Sequence, residues 1–213
     1  MDRNHNMSYT NLPNSTKLNQ FIAKYKLSDR INNGKIIFSN INKITWKYKL
    51  SPTTSNISNT SSVEEIHIFE IELKSTEIPK KAIAEIDKLI HYPLLYRFTY
   101  EDDFCYGISL LSEKQYFFSQ WGEDIEFDFS AFNLEQVYEN IVKKFLKNVD
   151  SSKNLTLNIE LNNRILVLQK DINSLTNKIK KEKQFKKQLE LSRLLKPKEK
   201  ELEDLTSTGL HSK

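Results

Sequence analysis

One cysteine, Cys105, stands in a chain of 213 residues, and that scarcity removes two chemistries at once. Neither an intramolecular disulfide nor a cysteine-based zinc site can be built, and a reducing cytoplasm is the expected setting. Only four glycines occur, and none forms a Walker loop or a G-x-G-x-x-G turn, so nucleotide hydrolysis by those routes is not expected. No apolar run approaches the roughly 18 residues that a bilayer span requires. The opening residues, MDRNHNMSYTNLPNST, are polar and lack the apolar stretch of a signal peptide, so a soluble, unexported protein with no membrane partner is expected. His67 and His91 have no Cys or second His at ligand spacing, and the acids at 101–103 and 123–128 lack the Asp-x-Asp-x-Asp-Gly order of a calcium loop. They read as structural histidines and turn acids, and no metal site is assigned to them.

Charge is present but unevenly spread. The net charge is +4, yet residues 143–200 hold 16 Lys/Arg against 6 Asp/Glu, which leaves the rest of the chain acidic. A basic tail on an acidic body suits either a solvated helix or an arm that meets nucleic acid or an acidic protein surface.

Periodicity divides the chain into a loose N-terminus at 1–13, an α/β globular domain at 14–149 and a basic helical extension at 150–213. NSTKLNQFIAKYKL offers Ser15 or Thr16 as a cap ahead of Leu18, Phe21, Ile22 and Tyr25, which predicts a short amphipathic helix. INKITWKYKL alternates through Ile44, Trp46, Tyr48 and Leu50 and predicts a half-buried strand. The polar run at 51–62 predicts a mobile loop. In EEIHIFEIELK, Ile66 and Ile68 share one phase and Phe69, Ile71 and Leu73 the other, so a β-bulge or burial on both faces is required. A helix is predicted behind Pro79, with Ile83, Ile86, Leu89 and Ile90 as its apolar stripe. Three aromatic-rich strands follow, PLLYRFTY, FCYGISLL and QYFFSQW, and then a helix buried through Leu134, Val137, Tyr138, Ile141 and Phe145. The fold class expected is α/β (α+β): a mixed β-sheet flanked by helices, followed by a long C-terminal helical, coiled-coil-like extension.

VDSSKN reads as a linker to that extension. Beyond it Leu161, Ile165, Leu168, Ile172, Leu175 and Ile179 recur in steps of four and three, a heptad seam that predicts partner binding or self-association through the C-terminal helix. Neither Gly nor Pro occurs from 161 to 196, so a continuous helix of about 50 Å is one expectation and a helical hairpin the other. Pro197 is expected to break or kink it. Lys178, Lys180, Lys181, Lys183, Lys186 and Lys187 crowd one stretch of this segment and are the candidate nucleic-acid contacts.

Two other chemistries are legible. Glu72-Leu73-Lys74 matches the Glu-x-Lys of restriction-endonuclease-like nucleases, in which carboxylates hold Mg²⁺ and a lysine helps activate water, so Glu72 and Lys74 are the candidate catalytic pair. The second acid would have to be Glu64, Glu65 or the distant Asp29. A polar strand face explains the same residues, and Mg²⁺ is implied only by the nuclease alternative. Trp46, Tyr48, Tyr96, Phe98, Tyr106, Phe117 and Phe118, interleaved with Lys47, Lys49 and Arg97, suit a stacking platform for single strands or, more simply, a core.

Four blocks, ITWKYKLSPTTSNI, VEEIHIFEIELK, EIDKLIHYPLLYRF and KEKQFKKQLELSRLLKPKEKELEDL, resemble in order and spacing the bacterial family called domain of unknown function 4391, over most of residues 16–205. The chain departs from the usual pattern at His91-Tyr92-Pro93 and at Lys186-Lys187. The resemblance implies a cytoplasmic protein that accompanies a helicase or DNA methyltransferase of a restriction or antiphage system, and it brings no catalytic residues. Together these readings predict an accessory interaction subunit that docks on such an enzyme through its helical tail and touches DNA with its lysines.

Overall fold

The computed structural model describes residues 12–110 and 115–207. Contacts divide the chain into two compact units with the boundary between Phe145 and Leu146, four residues before the boundary expected from composition. Of the expected loose N-terminus, residues 1–11 lie outside the described residues.

Among the described residues the first unit begins with a 3-10 turn, Asn14–Thr16, and strand β1, Lys17–Ile22. Helices α1, Lys24–Ser28, and α2, Gly34–Ile37, lead into β2, Ile41–Leu50, and the short α3, Pro52–Ser55. Then come β3, Ile66–Leu73; α4, Lys80–Leu89; β4, Leu94–Tyr100; β5, Asp103–Ser109; β6, Tyr116–Phe118; and α5, Leu134–Phe145. The strands form one six-stranded sheet in the order β1-β2-β3-β4-β5-β6. Every neighbouring pair is antiparallel except β3 and β4, which run parallel because α4 carries the chain back between them.

β3 sits in the middle and is buried on both sides at its start: Ile66, His67, Ile68 and Phe69 are all inaccessible. The phase conflict in its sequence is met by a bulge on the partner strand. Trp46 faces Phe69 and Tyr48 faces Ile68, so Lys47 is the extra residue of β2. One face of the sheet packs Phe69, Ile71, Leu73, Tyr96, Phe98 and Cys105 against Ala82, Ile83 and Ile86 of α4. On the other phase, Phe127 joins Tyr106 of β5 to Phe145 of α5, with ring centroids 5.1 and 6.0 Å away. The Tyr138 hydroxyl of α5 donates to the Ser109 carbonyl at 3.3 Å. Cys105 lies inside the core, where burial pushes its thiol up to about 12 and leaves it inert.

Two expectations for this unit are corrected. Residues 17–22 are an edge strand, not the helix that Leu18, Phe21 and Ile22 suggested, and only Lys24–Ser28 is helical. The open edge of β2 supplies ladder partners to Gln20, Phe21 and Ile22, and that pairing outweighs the local pattern while leaving Leu18 and Phe21 exposed. The polar run at 51–62 is not a loose loop either. Ser51 and Thr54 cap α3 reciprocally, the Thr54 hydroxyl donates to the Lys49 carbonyl at 2.7 Å, and the Leu134 amide donates to the Ser58 carbonyl at 2.8 Å.

The second unit is a pair of helices, α6, Leu155–Lys181, and α7, Phe185–Ser207. The single continuous helix is thus replaced by a hairpin that turns at residues 182–184, where Glu182 is extended (φ −75°, ψ 132°). Folding back covers apolar seams that a straight helix would leave bare, which is the driving force for the turn. Arg164 pairs with Glu201 at 2.5 Å and Lys198 with Asp171 at 2.7 Å, which fixes α7 antiparallel on α6. Pro197 does not end α7. It and Arg193, whose carbonyl loses its partner, both lie on the exposed side, where water can bond that carbonyl.

The expected linker at 149–154 is an ordered capping loop. Asn154 caps α6 by accepting from the Leu157 amide at 2.9 Å. The fully buried Asn158 accepts from the Asp150 amide at 2.7 Å and donates to the carbonyls of Asp150, Lys153 and Asn154, each at 3.0 Å. Hydrogen bonds from Lys153 and Ser152 hold the Asp150 carboxyl down at about 2.

Candidate nucleic-acid interface

The acidic strand β3 supplies the candidate catalytic pair, and its register decides what surrounds them. Glu72 and Lys74 are both exposed at the end of the strand. The Glu72 carboxylate accepts from the Asn42 side-chain amide of β2, and the Lys74 backbone amide donates to the Asn40 carbonyl at 2.9 Å. Close by, Lys24 donates to the Ile41 carbonyl at 2.8 Å, and burial together with the Lys74 charge pulls Lys24 below the usual lysine value.

Among the described residues no second carboxylate is grouped with Glu72 in a potential metal site. Glu65 lies seven residues back, about 23 Å along an extended strand at ~3.3 Å per residue. Its carboxylate is engaged by Lys49 at 2.7 Å and by His67 at 2.9 Å. Glu70, two residues before Glu72, accepts from Arg97 across the parallel pair at 2.8 Å and meets Lys47 at 3.4 Å. The Arg97 guanidinium also lies 4.9 Å from the centre of the Phe104 ring. Burial first, and then the Glu70 charge, raise the Tyr48 phenol. Among the described residues no group of three His, Cys, Asp or Glu side chains could hold a metal ion. The polar side of β3 is therefore tied into cross-strand pairs.

His67 shows what burial does to the other phase of the strand. Its ring lies between Trp46 and Tyr92, with centroids 4.8 and 5.1 Å away. Nε2 bonds Glu65, while the buried Nδ1 meets no hydrogen-bond partner among the described residues. That arrangement suits the neutral tautomer with its proton on Nε2. Burial depresses the imidazole below its ordinary 6.5, overriding the opposing pull of Glu65. The unfolded chain consequently takes up a proton near 6.5 while the folded chain resists, so stability falls as pH drops below about 6.5. Urea midpoints at pH 7.5 and 5.5 should differ in that direction, and His67→Gln should shrink the difference. An unchanged difference would remove His67 as its source. Glu65, which burial would raise but Lys49 and His67 hold below 4.5, acts only in the more acidic range.

A third polar group lies under α4. Asp87 accepts from Tyr96 at 2.6 Å and from Tyr116, and burial raises its carboxyl against the pull of both phenols. It stitches α4 to β4 and β6. The aromatic platform is mostly core: Tyr96, Phe98 and Tyr106 are fully buried and Phe117 nearly so. A cleft of about 420 Å³ between Leu12, Pro13, Ser55, Ile57 and residues 128–131 has its Ser55, Asp128 and Ser130 side chains hydrogen-bonded within the chain.

The helical unit arranges the remaining candidates differently from a bare seam. Ile165 and Leu168 are buried, and Leu161, Ile172, Leu175 and Ile179 are half-buried on the hairpin. The α7 residues at matching spacing, Leu191, Leu195, Leu202 and Leu205, are half-buried as well. By contrast Lys178, Lys180, Lys181, Lys183, Lys186 and Lys187 are all exposed. The turn collects them at one end of the hairpin, three from the last turn of α6, one from the connection and two from the first turn of α7. The single acid among them, Glu182, accepts from the amides of Lys183 and Gln184 at 2.9 Å each, and those bonds hold its carboxyl below the usual range. Phe185, at the start of α7, is 78 % exposed in their midst. Phe185 stands six residues after Ile179, off the steps of four and three, and that break in KKEKQFKKQ is the signal the sequence carries for it.

A family model described as Domain of unknown function (DUF4391) matches residues 10–202, nearly the whole chain. The chain belongs to the DUF4391 family. That DUF4391 match spans both units, sheet and hairpin together, as the resemblance over residues 16–205 implied. No curated protein and no solved structure matches it. Among the described residues of this DUF4391 chain, no helix is long and apolar enough to cross a membrane.

Proposed function

We propose that the protein is a non-catalytic accessory subunit of a DNA-processing assembly, of the DNA-modification or antiphage-defence kind, and that it holds DNA with the tip of its helical hairpin. The observation that carries this reading is the gathering of six exposed lysines around one turn whose only acid is occupied by backbone amides. Uncompensated lysines at such density repel one another and are best relieved by a polyanion, where each phosphate contact releases counterions. The helicase or methyltransferase partner rests on the family resemblance. With the seam half-buried in the hairpin, the exposed apolar side chains among the described residues of this unit, Phe185 apart, are Leu157, Leu166, Val167, Leu189 and Leu194, and these are left for such a partner.

Binding of the full chain to labelled DNA across a salt series tests the DNA half. Affinity should fall steeply with salt, and replacing Lys183, Lys186 and Lys187 by alanine should weaken binding at least about tenfold at low salt and flatten the slope by roughly 0.7–0.9 per lysine that meets a phosphate. Undetectable binding, or a triple variant that binds as the parent does, would overturn it. The partner half is tested by gene neighbourhood, where an isolated locus would leave the helicase or methyltransferase without support. The Mg²⁺-dependent nuclease at Glu72 and Lys74 is the weaker reading, since the acids nearest along the strand, Glu70 and Glu65, are paired with Arg97 and Lys49.

A further inference from the structure

We infer that the hairpin tip selects single-stranded DNA, with the Phe185 ring stacked on an unpaired base while the neighbouring lysines hold the flanking phosphates. The inference rests on the DNA-binding reading above and assigns a residue and a substrate form to it.

Three observations carry it. Phe185 is 78 % exposed, and although Phe21, Tyr25 and Phe132 are exposed as well, Phe185 alone among these stands within the run of six exposed lysines at the hairpin turn. Its backbone is held in position by a well-bonded turn: the Glu182 carboxylate accepts from two successive amides, and the Gln188 side chain donates to the Glu182 carbonyl at 2.7 Å. A ring presented from a braced turn loses little freedom on binding. Around it lie Lys183, Lys186 and Lys187, with Lys180 and Lys181 across the turn, all exposed. An aromatic face set among cations is the arrangement that single strands use, because stacking needs a base face that a uniform duplex keeps hidden. A purely electrostatic duplex contact would have no use for the ring. An anionic membrane would reward apolar area, and the tip offers only Phe185 with Leu189, 45 % exposed, one turn later.

The test compares the full chain on a fluorescent oligothymidine and on a blunt duplex of equal length, by anisotropy. Phe185→Ala should weaken oligothymidine binding about tenfold, leave duplex binding and both salt slopes unchanged, and be rescued by Phe185→Trp. Unaltered circular dichroism would show that the exposed substitution leaves the fold intact. Equal loss on both substrates, or none on either while the triple lysine variant still weakens binding, would overturn the stacking role and spare the lysine reading. A lysine variant that binds both substrates as the parent does would sink the underlying reading itself. Capture by phosphatidylserine vesicles with no oligothymidine binding would overturn both.

Discussion

Replacing Asn158 with leucine should lower the stability of the helical unit by about 2–4 kcal/mol, because each buried polar group left without its partner costs ~1–3 kcal/mol. Asn158 is completely buried and uses both ends of its amide: the oxygen accepts from the Asp150 amide, and the nitrogen serves three carbonyls of residues 150–154. Leucine fills a similar volume but satisfies none of these groups. The loop would have to lift toward water, which also disturbs the Asn154 cap and the bond from the Lys147 amide to Asn162 at 3.3 Å. Hydrogen exchange over residues 146–165 reads the effect directly, with urea unfolding followed by circular dichroism as a second measure. Protection in that segment equal to the parent's would show that the carbonyls find other partners.

Gly34→Ala should cost about 3 kcal/mol, the upper end of what overpacking usually does. A Cβ at this position would stand 2.0 Å from the Ser28 carbonyl oxygen and 2.8 Å from the Ser28 Cα. Those are backbone atoms, so no side chain can swing aside. Relief requires opening the turn between α1 and α2, where the Gly34 amide donates to the Ile31 carbonyl at 3.0 Å. Ile31, Ile37 and Phe38 would move with it, and they cover the α4-side core. Gly122→Ala is the natural comparison, since its added Cβ meets only the Asp103 carboxylate at 3.4 Å and its cost comes from a φ of +76°. That substitution should cost about 1–2 kcal/mol. Thermal unfolding that ranks Gly122→Ala as the more damaging would contradict the packing account.

Local chemistry was legible in the sequence wherever one element decided the outcome. The buried face of α5 and the Ile83 and Ile86 part of the α4 stripe could be read, because each follows from burying one side of a regular element. Leu89 is exposed, however, and the bulge at Lys47 splits the expected alternation of β2, with Ile44 and Trp46 opposite Ile71 and Phe69 and with Tyr48 and Leu50 opposite Ile68 and Ile66. The phase slip in β3 was visible as a contradiction, yet the bulge that meets it belongs to another strand. Residues 17–22 misled because an edge strand takes its reason from its neighbour's hydrogen bonds. The turn at 182–184 misled for the opposite reason, since it contains neither glycine nor proline and its bracing comes from the Glu182 and Gln188 side chains. The six lysines and Phe185 lie within residues 178–187 and their crowding was legible, but that this stretch forms the tip of a hairpin is known only once the chain doubles back.

The order of the strands has a kinetic implication. Because sequence neighbours are also spatial neighbours throughout the sheet, β4, β5 and β6 can zip from connections of 2 and 6 residues, whereas β1, β2, β3 and β4 are joined through 18, 15 and 20 residues. The meander β4-β5-β6 therefore meets the smallest loop-closure entropy, and the strands on the longer connections, the parallel seam over α4 among them, join it at nearly equal cost. Chain collapse in this molecule is expected to start in that meander, and side chains spanning it, Arg97 and Phe104 among them, are where a substitution would slow folding more than it speeds unfolding.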